Sequence, residues 1–139
     1  MSHKVFVYGT LKRNEPNHHW LTDSTNGNSK FIGEGTTKSK YPLIIATKYN
    51  IPFLLYSPGK GHNVDGEIYD VNDLMLEKLD ILEEHPKYYI REQDEILLKN
   101  TSGAVETKKC WVYFLKSFKP ELLDRTTMVS YSSRGPHGL

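Results

Sequence analysis

Apolar residues along this chain fall into short runs broken by glycine, proline and polar clusters, which is a strand pattern rather than a helical one. Lys4 to Tyr8 predicts a first strand that stops abruptly at Gly9-Thr10. Lys12 to Asn28 is polar and contains Pro16, so it reads as loop with one short helical turn near Trp20. Lys30 to Thr37 predicts a strand in which Gly33 and Gly35 mark a bulge or a close approach. Leu43 to Ala46 and Phe53 to Tyr56 pair as a hairpin across Lys48 to Pro52. Pro58-Gly59-Lys60-Gly61 is a turn, and Val64 to Tyr69 is the next strand.

Only Asp73 to Glu84 carries a helical period. Met75, Leu79 and Leu82 recur at i, i+4 and i+7, Asn72 suits the N-cap, and Asp73 favours the positive end of the helix dipole. Pro86 ends the helix and pushes His85 toward extended geometry. Strands follow at Tyr88 to Leu98 and Glu106 to Leu115, joined by a turn at Asn100 to Gly103. The sequon-like Asn100-Thr101-Ser102 is read as part of that turn. From Thr126 the chain turns polar; Tyr131-Ser132-Ser133 reads as loose coil, with a lid as the other reading. Many short strands and one good helix predict an α+β fold with a curled or barrel-like sheet.

The 139 residues are expected to form a single domain, 1–139. A net charge of +1 with interspersed signs argues against nucleic acid as a partner. No apolar run is long enough to span a bilayer, and the charged start predicts no secretory leader. The one cysteine, Cys110, sits in a predicted core strand and reads as a buried structural thiol. A reducing, cytoplasmic setting is the expectation.

Several chemistries are missing. No Cys-x-x-Cys or His-Glu-x-x-His occurs, and His3, His62, His85 and His137 stand apart from the His18-His19 pair, so no metal site is expected. There is no phosphate-binding loop, nucleotide fingerprint or Gly-x-Ser-x-Gly elbow, and no cofactor is expected. What remains is a backbone turn and some acids. A strand ending at Gly9 can aim its next amides into empty space as a cradle for an anion or carbonyl. Glu83 and Glu84 close the helix at the end where carboxylates are disfavoured, by about 0.3–1 kcal/mol each. Both read equally as solvated surface acids. Of the two, Glu83 borders the buried stripe, where desolvation raises a carboxylate toward a general base. Glu67 reads first as a solvated strand acid, and Asp80 as a helix-surface acid or the partner of a cation.

Taken together, these residues resemble the γ-glutamyl cyclotransferase superfamily, and within it the γ-glutamylamine cyclotransferase branch. The matching pieces are Tyr8-Gly9-Thr10-Leu11-Lys12-Arg13 with Pro16-Asn17-His18, Tyr41-Pro42-Leu43, Asn50-Ile51-Pro52, Gly66-Glu67-Ile68-Tyr69, Leu79-Asp80 with Glu83 and Pro86, and Gly135-Pro136-His137-Gly138-Leu139. They span nearly the whole chain in the family's order. The chain departs at Asn14, where a glycine is usual, though Asn also tolerates left-handed geometry.

The resemblance implies a small mixed β-barrel with flanking helices and an enzyme without cofactor or metal. It implies that Tyr8, Gly9, Thr10 and Leu11 hold the γ-glutamyl group and that Glu83 is the catalytic acid/base. The implied substrate is a small γ-glutamyl amine such as ε-(γ-glutamyl)lysine, cleaved to 5-oxoproline and a free amine by a monomer. Cyclotransferases of γ-glutamyl amino acids or glutathione, and a non-catalytic metabolite-binding module, are the alternative readings.

Overall fold

A computed structural model describes residues 2–45, 52–99 and 104–131. Seven strands and two α-helices run in the order β1 (Ser2–Val7), α1 (His19–Thr22), β2 (Ser29–Tyr41), β3 (Leu43–Ile45), β4 (Pro52–Leu54), β5 (His62–Asn72), α2 (Asp73–Leu82), β6 (Ile90–Lys99) and β7 (Val105–Phe114). Five of the strands close a barrel in the order β1-β5-β2-β6-β7. Every pair is antiparallel except β1 with β7, which run parallel and make the barrel mixed. β3 and β4 form the expected hairpin as a separate two-stranded sheet. An isolated bridge from Leu55 to Leu115 joins it to the end of β7. The α+β mixed barrel read from the sequence is the observed architecture.

Strand alternation divides the core. Val5 and Val7 of β1 pack with Met75, Leu76 and Leu79 of α2. Phe6 and Tyr8 point the other way and join Ile68, Ile96 and Val112 inside the barrel. α2 rests on the stripe the sequence predicted: Met75 and Leu79 are fully buried, and the Asn72 side chain accepts from the Met75 amide at 3.0 Å. Truncating Leu79→Ala should cost about 3 kcal/mol through lost burial and a residual cavity, read as a lower urea midpoint with unchanged m-value. The close approach of β1 and β5 where they pair depends on Gly66. A Cβ there would lie 2.4 Å from the Val7 carbonyl oxygen, so no larger residue keeps the strands this close.

Several expectations are corrected. β2 runs on to Tyr41 instead of stopping at Thr37, because register shifts at Phe31/Gly33 and Thr36/Lys40 let a polar stretch keep pairing with β5. α2 ends at Leu82, leaving Glu83 as its cap. β6 starts at Ile90, two residues later than expected, and Tyr88 and Tyr89 serve another purpose. Tyr131 is not loose coil: its side chain is 1 % exposed, in the cluster with Phe6 and Tyr41. Lys12 Nζ donates to its carbonyl at 2.5 Å. Ala46 and the loop from Lys48 to Ile51, the turn at Asn100 to Gly103, Ser132 and Ser133, and the terminal Gly135 to Leu139 lie outside the described residues. Cys110 is fully buried, and burial pushes its thiol up to about 12, so it is inert as expected.

Candidate active site

β1 delivers its last paired residue, Val7, opposite Glu67 of β5. Beyond it the chain leaves the sheet, and Tyr8 to Leu11 line a cavity of about 320 Å³. Gly9 is required at this point. A Cβ there would stand 2.8 Å from Pro52 Cγ, so the glycine lets the turn pass against the start of β4. The carbonyls of the turn are all engaged. Gly9 O accepts from the Lys12 amide at 3.1 Å and Thr10 O from the Asn17 amide at 2.8 Å. Leu11 O accepts from His18 Nδ1 at 2.9 Å. Asn17 Nδ2 also donates to Thr10 Oγ1 at 3.0 Å. The amides of Gly9, Thr10 and Leu11 donate to no described residue. The turn is thus fixed through its acceptors, while three of its donors have no partner among the described residues.

Asn14 carries φ of +69°, the left-handed geometry that its residue type tolerates. The loop it belongs to is clamped by Glu67. This acid is 8 % exposed rather than solvated. It accepts from the Arg13 amide at 3.0 Å, from Arg13 Nε at 3.3 Å and from the Tyr69 hydroxyl at 2.9 Å. Three donors satisfy a carboxylate that burial would otherwise penalise.

The other side of the cavity comes from the end of α2. Glu83 caps the helix, its amide donating to Leu79 O at 2.9 Å, and its carboxylate lines the same cavity as Tyr8, Gly9, Thr10 and Leu11. Burial pushes its pKa up to about 7. Among the described residues it has no ion-pair partner. Glu84 is exposed at the rim with φ of +54°, the turn that redirects the chain after the helix. All five residues singled out in the sequence therefore meet in one cavity, although Glu83 is more than seventy positions from the turn.

Asp80 is not a free surface acid. It accepts from Arg91 Nε at 2.7 Å and Nη2 at 3.1 Å, and from the Tyr113 hydroxyl at 2.7 Å. The Arg91 guanidinium lies over Trp111, 4.3 Å from the ring centre. Beside Tyr8, sequence reading missed the other phenols of the cavity, Tyr88, Tyr89 and Tyr113. Tyr89 donates to Pro52 O at 3.1 Å, and Tyr8 to the Tyr113 carbonyl at 2.6 Å. Burial holds Tyr8, Tyr89 and Tyr113 well above the ordinary phenol range, with the Glu83 charge adding to it. The nine tyrosines were the available signal, but composition cannot say which of them share a cavity. Among the described residues no group of three or more His, Cys, Asp or Glu could hold a metal ion.

The family model described as gamma-glutamyl cyclotransferase, AIG2-like, matches residues 5–133. The chain belongs to that family. A Drosophila melanogaster relative named as a gamma-glutamylcyclotransferase is 51 % identical over 131 residues, 94 % of this chain and 81 % of that protein. A Mus musculus relative named gamma-glutamylaminecyclotransferase is 44 % identical over 142 residues, covering all of this chain and 95 % of that one. The crystal structure of an AIG2-like protein from Mus musculus superimposes with a TM-score of 0.92 at 43 % identity, covering 98 % of this chain and 92 % of that chain. The barrel is the fold of the family, and its cavity is the candidate active site.

Proposed function

We propose that this cyclotransferase releases a free amine from a γ-glutamyl amine, with 5-oxoproline as the other product. The observation that carries the reading is the pairing across one cavity of Glu83, a carboxylate poised near neutrality, with three amides that have no partner among the described residues. The substrate's own α-amine is the nucleophile. It arrives as an ammonium, and Glu83 takes the first proton. The freed nitrogen attacks the γ-carbonyl carbon, an N–C bond forms, and the amides of Gly9 to Leu11 receive the negative oxygen. Glu83 passes its proton to the leaving nitrogen, and the old C–N bond breaks. A second proton follows the same path from the ring nitrogen, so the amine departs as an ammonium and the lactam is neutral. One acid/base suffices because ring closure is intramolecular, and holding the reactive rotamer supplies much of the rate.

For the leaving group we favour lysine, released from ε-(γ-glutamyl)lysine, the remnant of a crosslinked protein. The name of the mouse relative supports an amine substrate. The name of the fly relative favours a second reading, a γ-glutamyl amino acid or glutathione. Purified protein should be offered ε-(γ-glutamyl)lysine, γ-glutamyl-alanine and glutathione, with 5-oxoproline measured. Turnover of the first alone supports the amine reading; turnover of either of the others transfers the assignment. Binding of 5-oxoproline with no turnover at all would make the chain a binding module. Among the described residues no helix is long and apolar enough to cross a membrane. With one buried thiol, action in the cytoplasm is the matching proposal.

The cradle makes its own prediction. Gly9→Ala drives a methyl into Pro52 and turns the amides away, so kcat/KM for the turned-over amide should fall by about a hundredfold to a thousandfold, the range for one lost oxyanion donor. Steady-state kinetics at saturating and limiting substrate would read it.

A further inference from the structure

Three phenols face the Glu83 carboxylate from three different elements: Tyr8 from the end of β1, Tyr89 from the segment before β6, and Tyr113 from β7. The Glu83 charge acts on all three, yet none of them donates a hydrogen bond to it. Tyr8 gives its proton to the Tyr113 carbonyl, Tyr89 to the Pro52 carbonyl, and Tyr113 to Asp80 Oδ1. Two of these acceptors are backbone groups, one on β7 of the barrel and one at the start of β4. The third is a side chain, and it is held in place for the purpose. Asp80 is gripped through both oxygens by Arg91, and Arg91 is stacked on Trp111. The Arg91 amide in turn bonds His85 Nδ1 at 3.2 Å, and the His85 amide donates to the Asp80 carbonyl at 2.9 Å. One closed network therefore ties the turn that carries Glu83 to β6 and β7.

We infer that Asp80 is a positioning residue for the base: it captures the Tyr113 hydroxyl so that this donor stays off Glu83. The inference rests on Glu83 being the acid/base, as proposed above. A phenol that donated to the carboxylate would stabilise its charged form and drop its proton affinity. A base that is too weak cannot deprotonate an α-ammonium at a useful rate. With all three phenols committed elsewhere, burial acts on Glu83 unopposed. The other charged groups nearby are Glu84, exposed at the rim, and the Asp80–Arg91 pair, whose charges cancel. Tyr88 lines the outer part of the cavity.

The test is the acid limb of the kcat/KM–pH profile with a γ-glutamyl amide that the protein turns over. Asp80→Ala combined with Arg91→Met frees the Tyr113 hydroxyl without leaving a buried lone charge. The limb should move down by about one pH unit, the size of one hydrogen bond to a charged group. Adding Tyr113→Phe to that pair should return the limb to its original position. A merely structural role for Asp80 would lower activity without moving the limb, and would not be reversed by a second cavity substitution. An unmoved limb, or one that Tyr113→Phe does not restore, overturns the inference. Should the paired variant fail to fold, Tyr113→Phe alone decides. With the hydroxyl committed to Asp80, its limb should stay within about 0.3 pH unit of the parent; a rise of a unit or more would mean that the hydroxyl already serves Glu83. Absence of turnover in the parent protein would instead strike the proposed function, which keeps the two failures distinct.

Discussion

Glu83→Gln should abolish 5-oxoproline release, with kcat down by about 10²–10⁴-fold, because the proposed acid/base of the cavity is gone. The substitution keeps size and shape, so circular dichroism and the binding of 5-oxoproline should survive. Stability should move in the opposite direction to activity. In the folded protein Glu83 titrates near 7, whereas unfolded it returns to the ordinary carboxylate value. Between those two values the folded state holds more protons than the unfolded one, so stability falls as pH rises through that window. Gln has no such charge to bury. Above pH 7 the variant should therefore be more stable than the parent, by about 1–3 kcal/mol, visible in urea melts at pH 8 and much smaller at pH 4.5. A Gln variant that still turns over the amide would place the base elsewhere.

The second large effect is the pH dependence of catalysis itself. The reaction needs Glu83 ionised before the α-ammonium can be deprotonated, so kcat/KM should level off about one unit above pH 7 and approach a tenfold fall per unit below it. By pH 5 the loss should reach about a hundredfold, since two pH units separate 5 from the pKa of about 7. An acid limb near 4.5 would show a solvated carboxylate and remove the argument from burial. The two results together bind rate and stability to one side chain: the burial that makes Glu83 a usable base is the burial that weakens the fold when it ionises.

The first strand and its abrupt stop at Gly9 were legible because a short apolar run followed by glycine has few other meanings. α2 was legible for the same kind of reason, since the Asn72 cap and the Met75–Leu79 spacing are local rules that the barrel obeys. The position of Glu83 at a rule-breaking helix end pointed to it before any contact was known. What stayed hidden was whatever depends on a distant partner. Glu67 looks like a solvated strand acid until Arg13, 54 positions away, folds back over it. Asp80 looks like a surface acid until β6 and β7 bring Arg91 and Tyr113 to it. The Thr36 to Lys40 stretch of β2 shows no alternation, because a register shift there separates the pleat from the residue count. Tyr131 gave no warning at all: a tyrosine among serines reads as coil, and only the barrel's interior reveals that it fills space.

That last residue constrains how the protein is made. β1 is synthesised first, yet its neighbours in the barrel are β5 and β7. The buried cluster that holds Phe6 and Tyr8 is completed only when Tyr131 arrives. A ribosome that has translated β1 through β6 has produced an open sheet with an unfilled centre and an unpaired first edge. Closure of the barrel then waits for the chain to emerge through β7 and Tyr131, and a nascent chain stalled ahead of them exposes the sheet edges and apolar faces that chaperones bind.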